Sequence, residues 1–212
     1  MAKRIYLDWN ASSPLSQNAF KAMKNSLANF ANASSLHFEG RKARIAIEKA
    51  RDKIAEILGL NSRFNIIFTS GATESAAMVL HSKKLNCASI EHDCVKVWSI
   101  ENLIVSENGK VDINDPINST LQVANSETGI IQEIPQGIYF TDAAQAFGKI
   151  FTDFSKFDFQ FSSISSHKIG GPKGIGALFM RNGVNLMPTY FGGGQEKDLR
   201  PGTENISYIH GM

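Results

Sequence analysis

The sequence predicts an α/β protein in which a mostly parallel sheet carries helices on both faces. Six short runs of apolar and β-branched residues recur along the chain, as strands covered on both faces would. Helical patterns separate some of these runs, and polar residues collect directly after them, where open α/β sheets bind ligands. The runs span residues 65–69, 87–90, 121–124, 138–141, 159–164 and 176–180.

Composition is typical of a soluble globular domain. The chain has 212 residues, of which 42% are hydrophobic, and its 22 Lys and Arg against 20 Asp and Glu give a net charge of +2. This length supports one large core without disulfides or metals. The densest cationic stretch, residues 41–53, is interrupted by Glu48 and Asp52, so we expect no nucleic-acid partner. No apolar run approaches the roughly 20 residues of a membrane span, so we expect no membrane partner.

The elements follow from periodicity and turn residues. Residues 41–58 carry the clearest helical stripe, which Gly59 ends. A second helix over 73–84 links the first two strands in a βαβ unit. The Asn182–Gly183 pair predicts a hairpin turn, and so an antiparallel edge pair over 176–188. Residues 134–137 are too few for a crossover helix before the fourth strand.

Three segments that follow strands could carry chemistry. Residues 69–75 open a helix whose N–H groups suit a phosphate, although a helix capped by hydroxyls without a ligand fits equally well. Asp142 could face a buried cation, or it could cap the next helix. Lys168, between a buried strand and a glycine-rich loop, could be a nucleophile or a surface charge. That loop matches neither a P-loop nor a dinucleotide fingerprint.

Taken together, the polar segments resemble cysteine desulfurases, which are pyridoxal-phosphate (PLP) enzymes of aminotransferase class V. The resemblance runs from Ile5 to the last residue, and Ser-x-His-Lys with an upstream Asp-x-x-Gln is its most specific part. It implies the large domain of the PLP-dependent transferase fold, fold type I. The matching blocks, in family order, lie at 6–11, 69–75, 91–92, 125–129, 141–145, 165–168 and 200–205.

The resemblance also implies a role for each matched residue. Lys168 is the implied Schiff-base lysine, and with His92, which stacks on the cofactor ring, it forms the catalytic pair. Asp142 faces the pyridine nitrogen and Gln145 the phenolic oxygen. Thr203 reaches the phosphate of a second subunit, which implies a homodimer. The remaining phosphate ligands implied by the resemblance are Ala72, Thr73, Ser165 and His167.

For the whole chain, the resemblance implies conversion of L-cysteine to L-alanine. The sulfur passes to a thiol of an acceptor or scaffold protein for iron–sulfur cluster or thiocofactor assembly. Residues 1–30 are expected to contribute to a small domain and residues 31–212 to form the PLP-binding large domain, with the C-terminal small domain absent. The family's mobile-loop cysteine and its carboxylate-binding arginine have no matched counterpart, so persulfide formation is expected to be incomplete in this chain alone. Ser126 stands where the family often has a second Asn.

Other interpretations stay open. The chain could have another class V activity, as an aminotransferase or a selenocysteine lyase, or it could be a catalytically silent fragment that binds PLP or dimerises. Cys94 is a weak candidate for the sulfur acceptor because no basic partner is evident, and Cys87 is expected in the core. His81, Cys87, His92 and Cys94 match no common zinc spacing, so no metal is expected. Two cysteines make no disulfide framework, which favours the cytoplasm.

Overall fold

A computed structural model of the chain describes residues 4–60, 63–150 and 154–212. Its main sheet has four strands in the order β1-β6-β5-β4, and β2 and β3 form a smaller sheet. The strands are β1 Phe64–Thr69, β2 Asn86–Ala88, β3 Ile100–Leu103, β4 Ile138–Asp142, β5 Phe159–Ser165 and β6 Gly176–Arg181. The helices are α1 Gln17–Leu27, α2 Phe38–Leu58, α3 Ala72–Leu80, α4 Asp93–Lys96 and α5 Ile206–Gly211.

Strand direction confirms an α/β fold with a mixed sheet. Strand β4 pairs parallel with β5, whereas β6 pairs antiparallel with both β1 and β5. Strands β1, β5 and β4 therefore point the same way. Parallel bridges from Asn86 to Ser119 and from Thr120 to Phe140 link the smaller sheet to β4. The carboxyl ends of the parallel strands consequently meet at one edge.

The predicted antiparallel edge pair over 176–188 is wrong. Strand β6 lies inside the sheet with a hydrogen-bonded neighbour on each side, so it leaves no free edge for a returning strand. The turn itself forms, with Gly183 at a φ of 84°. However, the N–H of Asn182 donates to the carbonyl of Arg63 at the start of β1.

Helices cover both faces of the main sheet, as predicted. Ile47 of α2 packs in a cluster with Phe68 of β1. Val79 of α3 packs in a separate cluster with Ile67 and with Leu178 of β6. Because side chains alternate across a strand, those of the neighbours Ile67 and Phe68 pack on opposite faces of the sheet. Apolar burial on both faces thus fixes the sheet between α2 and α3.

The element boundaries follow local chemistry. Helix α2 ends at Gly59, which adopts a left-handed φ of 62° and donates its N–H to the carbonyl of Glu56. Helix α3 stops at Leu80, four residues before the predicted end. The predicted strand over 121–124 is wrong, because this run forms a single isolated bridge, from Ala124 to Ile131. The described residues between Asn125 and Gly137 contain no helix, which confirms the shortened crossover.

None of the helices in the described residues is long and apolar enough to cross a bilayer.

Candidate functional site

A cavity of about 550 Å³ opens at the carboxyl ends of β1, β4 and β5. Eight of the nine residues that the sequence predicts for the site line it. Thr203 does not line it and is exposed, so its role toward a second subunit stays a prediction. The eight are Ala72, Thr73, His92, Asp142, Gln145, Ser165, His167 and Lys168.

The N-terminus of α3 forms one wall of the cavity. Its N-cap residue is Gly71, and no side chain caps the helix. The hydroxyl cap that would complete this helix without a ligand is therefore not made. A Cβ on Gly176 would lie 2.6 Å from Cα of Gly71, so glycine is needed for the two backbones to pack this closely. The result is an uncapped helix N-terminus, which favours an anion.

An ion pair holds the first turn of α3. Nε of Arg200 lies 2.9 Å from Oε1 of Glu74, and the N–H of Ser70 donates to the same carboxylate. Burial alone would raise the pKa of Glu74, but Arg200 and Ser70 outweigh burial and hold that pKa below its ordinary value. The pairing balances the Glu74 charge beside the anion site. Sequence reasoning missed it, although Arg200 and Glu74 both lie in matching blocks.

Asp142 ends β4 at the floor of the cavity and is 8% exposed. Oδ1 accepts the N–H of Ala144 at 2.8 Å and the hydroxyl of Ser163 at 3.4 Å. Burial raises the pKa of Asp142, opposed by the Ala144 N–H and by the charges of His92 and Lys168. The carboxyl caps a turn rather than a helix, and it still faces a space where a cation could neutralise it.

Lys168 lies in a short 3-10 turn directly after β5. Its Nζ donates to the carbonyls of Asn10 and Ala11, the latter at 3.2 Å. The Ser13 hydroxyl donates to the Lys168 carbonyl at 2.7 Å. The N-terminal segment thus holds both the amine and the backbone of Lys168. Sequence reasoning assigned no role to these three residues, although Asn10 and Ala11 lie in the first matching block.

The ring of His92 is oriented by the turn that follows it. Its Nδ1 accepts the N–H of Cys94 at 3.1 Å, which places the ring proton on Nε2. His92 itself is exposed. An exposed ring with one nitrogen anchored can present a flat face to the cavity.

Gln145 and His167 also contact the N-terminal segment. Nε2 of Gln145 donates to the Asn10 carbonyl at 3.0 Å, while Oε1 accepts from Lys149 at 2.5 Å. Nδ1 of His167 lies 3.2 Å from the Ser12 hydroxyl. Burial, followed by the charges of neighbouring lysines, lowers the pKa of His167. Both side chains are therefore positioned by the segment that holds Lys168.

Neither cysteine is activated. Cys94 lines the cavity, but burial and the nearby carboxyls of Asp142 and Glu91 raise its pKa to about 12. Cys87 is fully buried, as predicted, and burial raises its pKa to about 11. A thiol is nucleophilic only as the thiolate, so Cys94 is a poor sulfur acceptor in this state. Among residues 4–60, 63–150 and 154–212, no three His, Cys, Asp or Glu side chains group as metal ligands.

Known proteins share this fold. The aminotransferase class-V family matches residues 5–103 and 105–212, and the chain belongs to that family. Cysteine desulfurase IscS of Dictyoglomus turgidum is 38% identical over 100% of this chain and 63% of its own length. Selenocysteine lyase of Rattus norvegicus is 31% identical over 99% of this chain and 64% of its own. A NifS-like protein from Rickettsia africae superposes with a TM-score of 0.87 at 29% identity, over 98% of this chain and 66% of that one.

The chain therefore spans a little under two thirds of the curated relatives it matches. Class V aminotransferases and cysteine desulfurases depend on PLP. The donor set of the cavity fits that cofactor. An uncapped helix N-terminus suits its phosphate, a buried carboxyl suits its pyridine nitrogen, and a lysine amine suits its aldehyde.

Proposed function

We propose that this chain is the cofactor-binding part of a PLP-dependent cysteine desulfurase. The observation that carries the proposal is the convergence of the Lys168 amine, the buried Asp142 carboxyl and the uncapped N-terminus of α3 on one cavity. In the proposed reaction, L-cysteine and an acceptor thiol give L-alanine and a persulfide. The sulfur atom moves to the thiol for iron–sulfur cluster or thiocofactor assembly.

When bound, PLP supplies an electron sink for negative charge at the substrate's Cα. Lys168 would hold the cofactor through Nζ and then move the proton at Cα. Asp142 would hold a proton on the pyridine nitrogen. His92 would stack on the ring, and Gln145 would donate to the phenolic oxygen.

The phosphate would lie at the N-terminus of α3. Ala72 and Thr73 would offer N–H groups, and Ser165 and His167 would add side-chain donors. The balanced Glu74–Arg200 pair beside them supports this placement, because an unpaired carboxylate there would repel the phosphate.

Domain division and assembly form the second part of the proposal. Residues 1–30 would contribute to a small domain and residues 31–212 would form the large domain. Exposed Thr203 would complete the site of a second copy, giving a homodimer. The free cysteines Cys87 and Cys94 support a cytoplasmic location.

Product analysis tests the proposed reaction. The purified chain is supplied with PLP, L-cysteine, a thiol reductant and, as a separate chain, the part of a full-length relative that it does not cover. It is expected to release alanine and sulfide in equal amounts, and Lys168→Ala is expected to release neither. Release of pyruvate or another keto acid in place of alanine would contradict the desulfurase assignment and favour an aminotransferase.

Selenocysteine lyase is the second candidate, because a protein of that name matches 99% of the chain. Turnover of L-selenocysteine with none of L-cysteine would select it. PLP binding without product in either assay, even with the added segment, would select a silent cofactor-binding protein.

A further inference from the structure

Glu91 is a buried carboxyl behind the cavity for which the proposed reaction has no use. It lies in the turn after β2 and is 3% exposed. Its Oε1 accepts the backbone N–H of Gln122 at 2.6 Å. Oε2 is buried with no hydrogen-bond partner among the described residues. A half-satisfied buried carboxyl is costly, so its position calls for an explanation.

The backbone partner of Glu91 belongs to a cavity-lining residue, Gln122, in the segment beside β4. His92, which follows Glu91 in the chain, also lines the cavity. The same segment also reaches the turn through the Ile90 carbonyl, which accepts from Gln122 Nε2 at 2.7 Å and from Asn125 Nδ2 at 2.8 Å. Glu91 therefore braces the His92 turn against the strand-like segment that forms the adjacent wall.

Charge distribution decides where a proton resides in this region. Asp142 has the opposing positive charge of Lys168 and two hydrogen-bond donors. Among the described residues no Lys or Arg side chain hydrogen-bonds to Glu91, and the carboxyl of Asp142 acts on it unfavourably. Burial and that carboxyl raise the pKa of Glu91 to about 8. A carboxyl with this pKa keeps its proton at neutral pH.

We propose that Glu91 is a positioning residue of the cofactor site, held as the neutral acid. In this form it holds the backbone of Gln122 against the turn that carries His92 without placing a negative charge beside Asp142. The groups that face it are Asp142 of β4, Cys94 of α4 and Cys87 of β2. The role of Glu91 in positioning the cofactor site rests on the proposed function, whereas its protonated state does not.

Unfolding of the cofactor-free chain tests the neutral carboxyl. A carboxyl whose pKa is raised on folding stabilises the protein below its unfolded pKa, and that stabilisation is lost as pH rises toward the folded pKa. Wild type is therefore expected to lose stability relative to Glu91→Gln between about pH 5 and about pH 8. Glu101→Gln, at an exposed carboxylate of β3, is the matched control and is expected to show no such trend. An equal difference between wild type and Glu91→Gln at both pH values would overturn the neutral assignment.

PLP titration tests the positioning role. Glu91→Gln keeps the length and one acceptor oxygen, so its Kd for PLP at pH 7 is expected within about threefold of wild type. Glu91→Asp is too short to reach the Gln122 N–H and should bind at least about tenfold more weakly. Above about pH 8 the Kd of wild type is expected to rise while that of Glu91→Gln stays level. Equal binding by Glu91→Asp and wild type would refute the brace. If wild type binds no PLP, the proposed function and the brace fail together, while the unfolding experiment still reports on the carboxyl.

Discussion

Two buried carboxyl regions of this molecule are built in opposite ways. Glu196 accepts both guanidinium NH groups of Arg51 at 2.9 Å and the N–H of Phe68 at 2.7 Å. Its side chain is 3% exposed and that of Arg51 is 11% exposed. At the cavity, Glu91 and Asp142 are equally buried, but neither contacts a cationic side chain within hydrogen-bond distance in the described part of the chain.

This difference distinguishes a carboxylate with a structural role from one that is available to a ligand. The charge of Glu196 is fully compensated, and its task is to hold residues 196–198, all of which have positive φ, against β1. The charge of Asp142 is left for something that enters the cavity. A protein tolerates such incomplete compensation where a ligand completes it, which is why perturbed carboxyls concentrate in functional sites.

Removing the compensated carboxylate should have the largest effect on stability. Glu196→Ala removes the buried bidentate partner of Arg51 and leaves that guanidinium the more exposed Glu48 carboxylate, so the free energy of unfolding is expected to fall by about 3–5 kcal/mol. Denaturant unfolding measures this free energy. Glu56→Ala, which removes an exposed partner of Lys53, serves as the control and should change that free energy by at most about 0.5 kcal/mol. Equal effects of the two variants would mean that the Arg51–Glu196 pair does not anchor this turn.

The alkylation rate of Cys94 measures how strongly the cavity region around Glu91 and Asp142 suppresses a thiolate. Because its pKa is raised to about 12, its alkylation by iodoacetamide at neutral pH is expected to be about a thousandfold slower than in the denatured chain. Mass spectrometry of Cys94 against Cys87 gives the rates, with the urea-unfolded chain as the reference. Rapid alkylation of Cys94 in the folded chain would contradict the account, since the carboxyls would then not suppress the thiolate.

Asp142→Asn should lower the affinity for PLP without lowering the free energy of unfolding. Asn keeps an oxygen for the Ala144 N–H but removes the charge, so PLP affinity is expected to fall about a hundredfold. The free energy of unfolding of the cofactor-free chain should not fall, because an uncompensated buried charge has been removed. Calorimetric titration and denaturant unfolding measure the two quantities. A loss of stability with unchanged PLP affinity would make Asp142 a structural carboxyl like Glu196.

The smallest effect is expected at the turn that Glu196 anchors. Asp198 has a φ of 64° and is exposed, so Asp198→Gly should stabilise the chain by about 0.5–1 kcal/mol. Asp115, with a φ of −129°, provides the control, because glycine there relieves nothing and should destabilise. Thermal unfolding of both variants tests whether the positive φ of Asp198 is strained. A lower midpoint for Asp198→Gly than for wild type would contradict that strain.

The sequence predicts more of the site than of the sheet order. Strand ends carry polar residues locally, so Asp142 and Lys168 could be placed from their positions after apolar runs. The interior place of β6 could not be predicted, because the Asn182–Gly183 turn signal is local and does not specify which strand edge is open. Glu91 and Glu196 were also missed as buried carboxyls, since their burial depends on Gln122 and Arg51, 31 and 145 residues away.

The central claim is that PLP binds this chain through Lys168, and the visible absorption spectrum tests it most directly. Wild type and Lys168→Ala are each titrated with PLP and then with L-cysteine, with folding of both verified by circular dichroism. We expect a visible band in wild type that shifts on addition of cysteine and is absent from Lys168→Ala. A folded wild type whose spectrum matches that of Lys168→Ala throughout the titration would contradict the account.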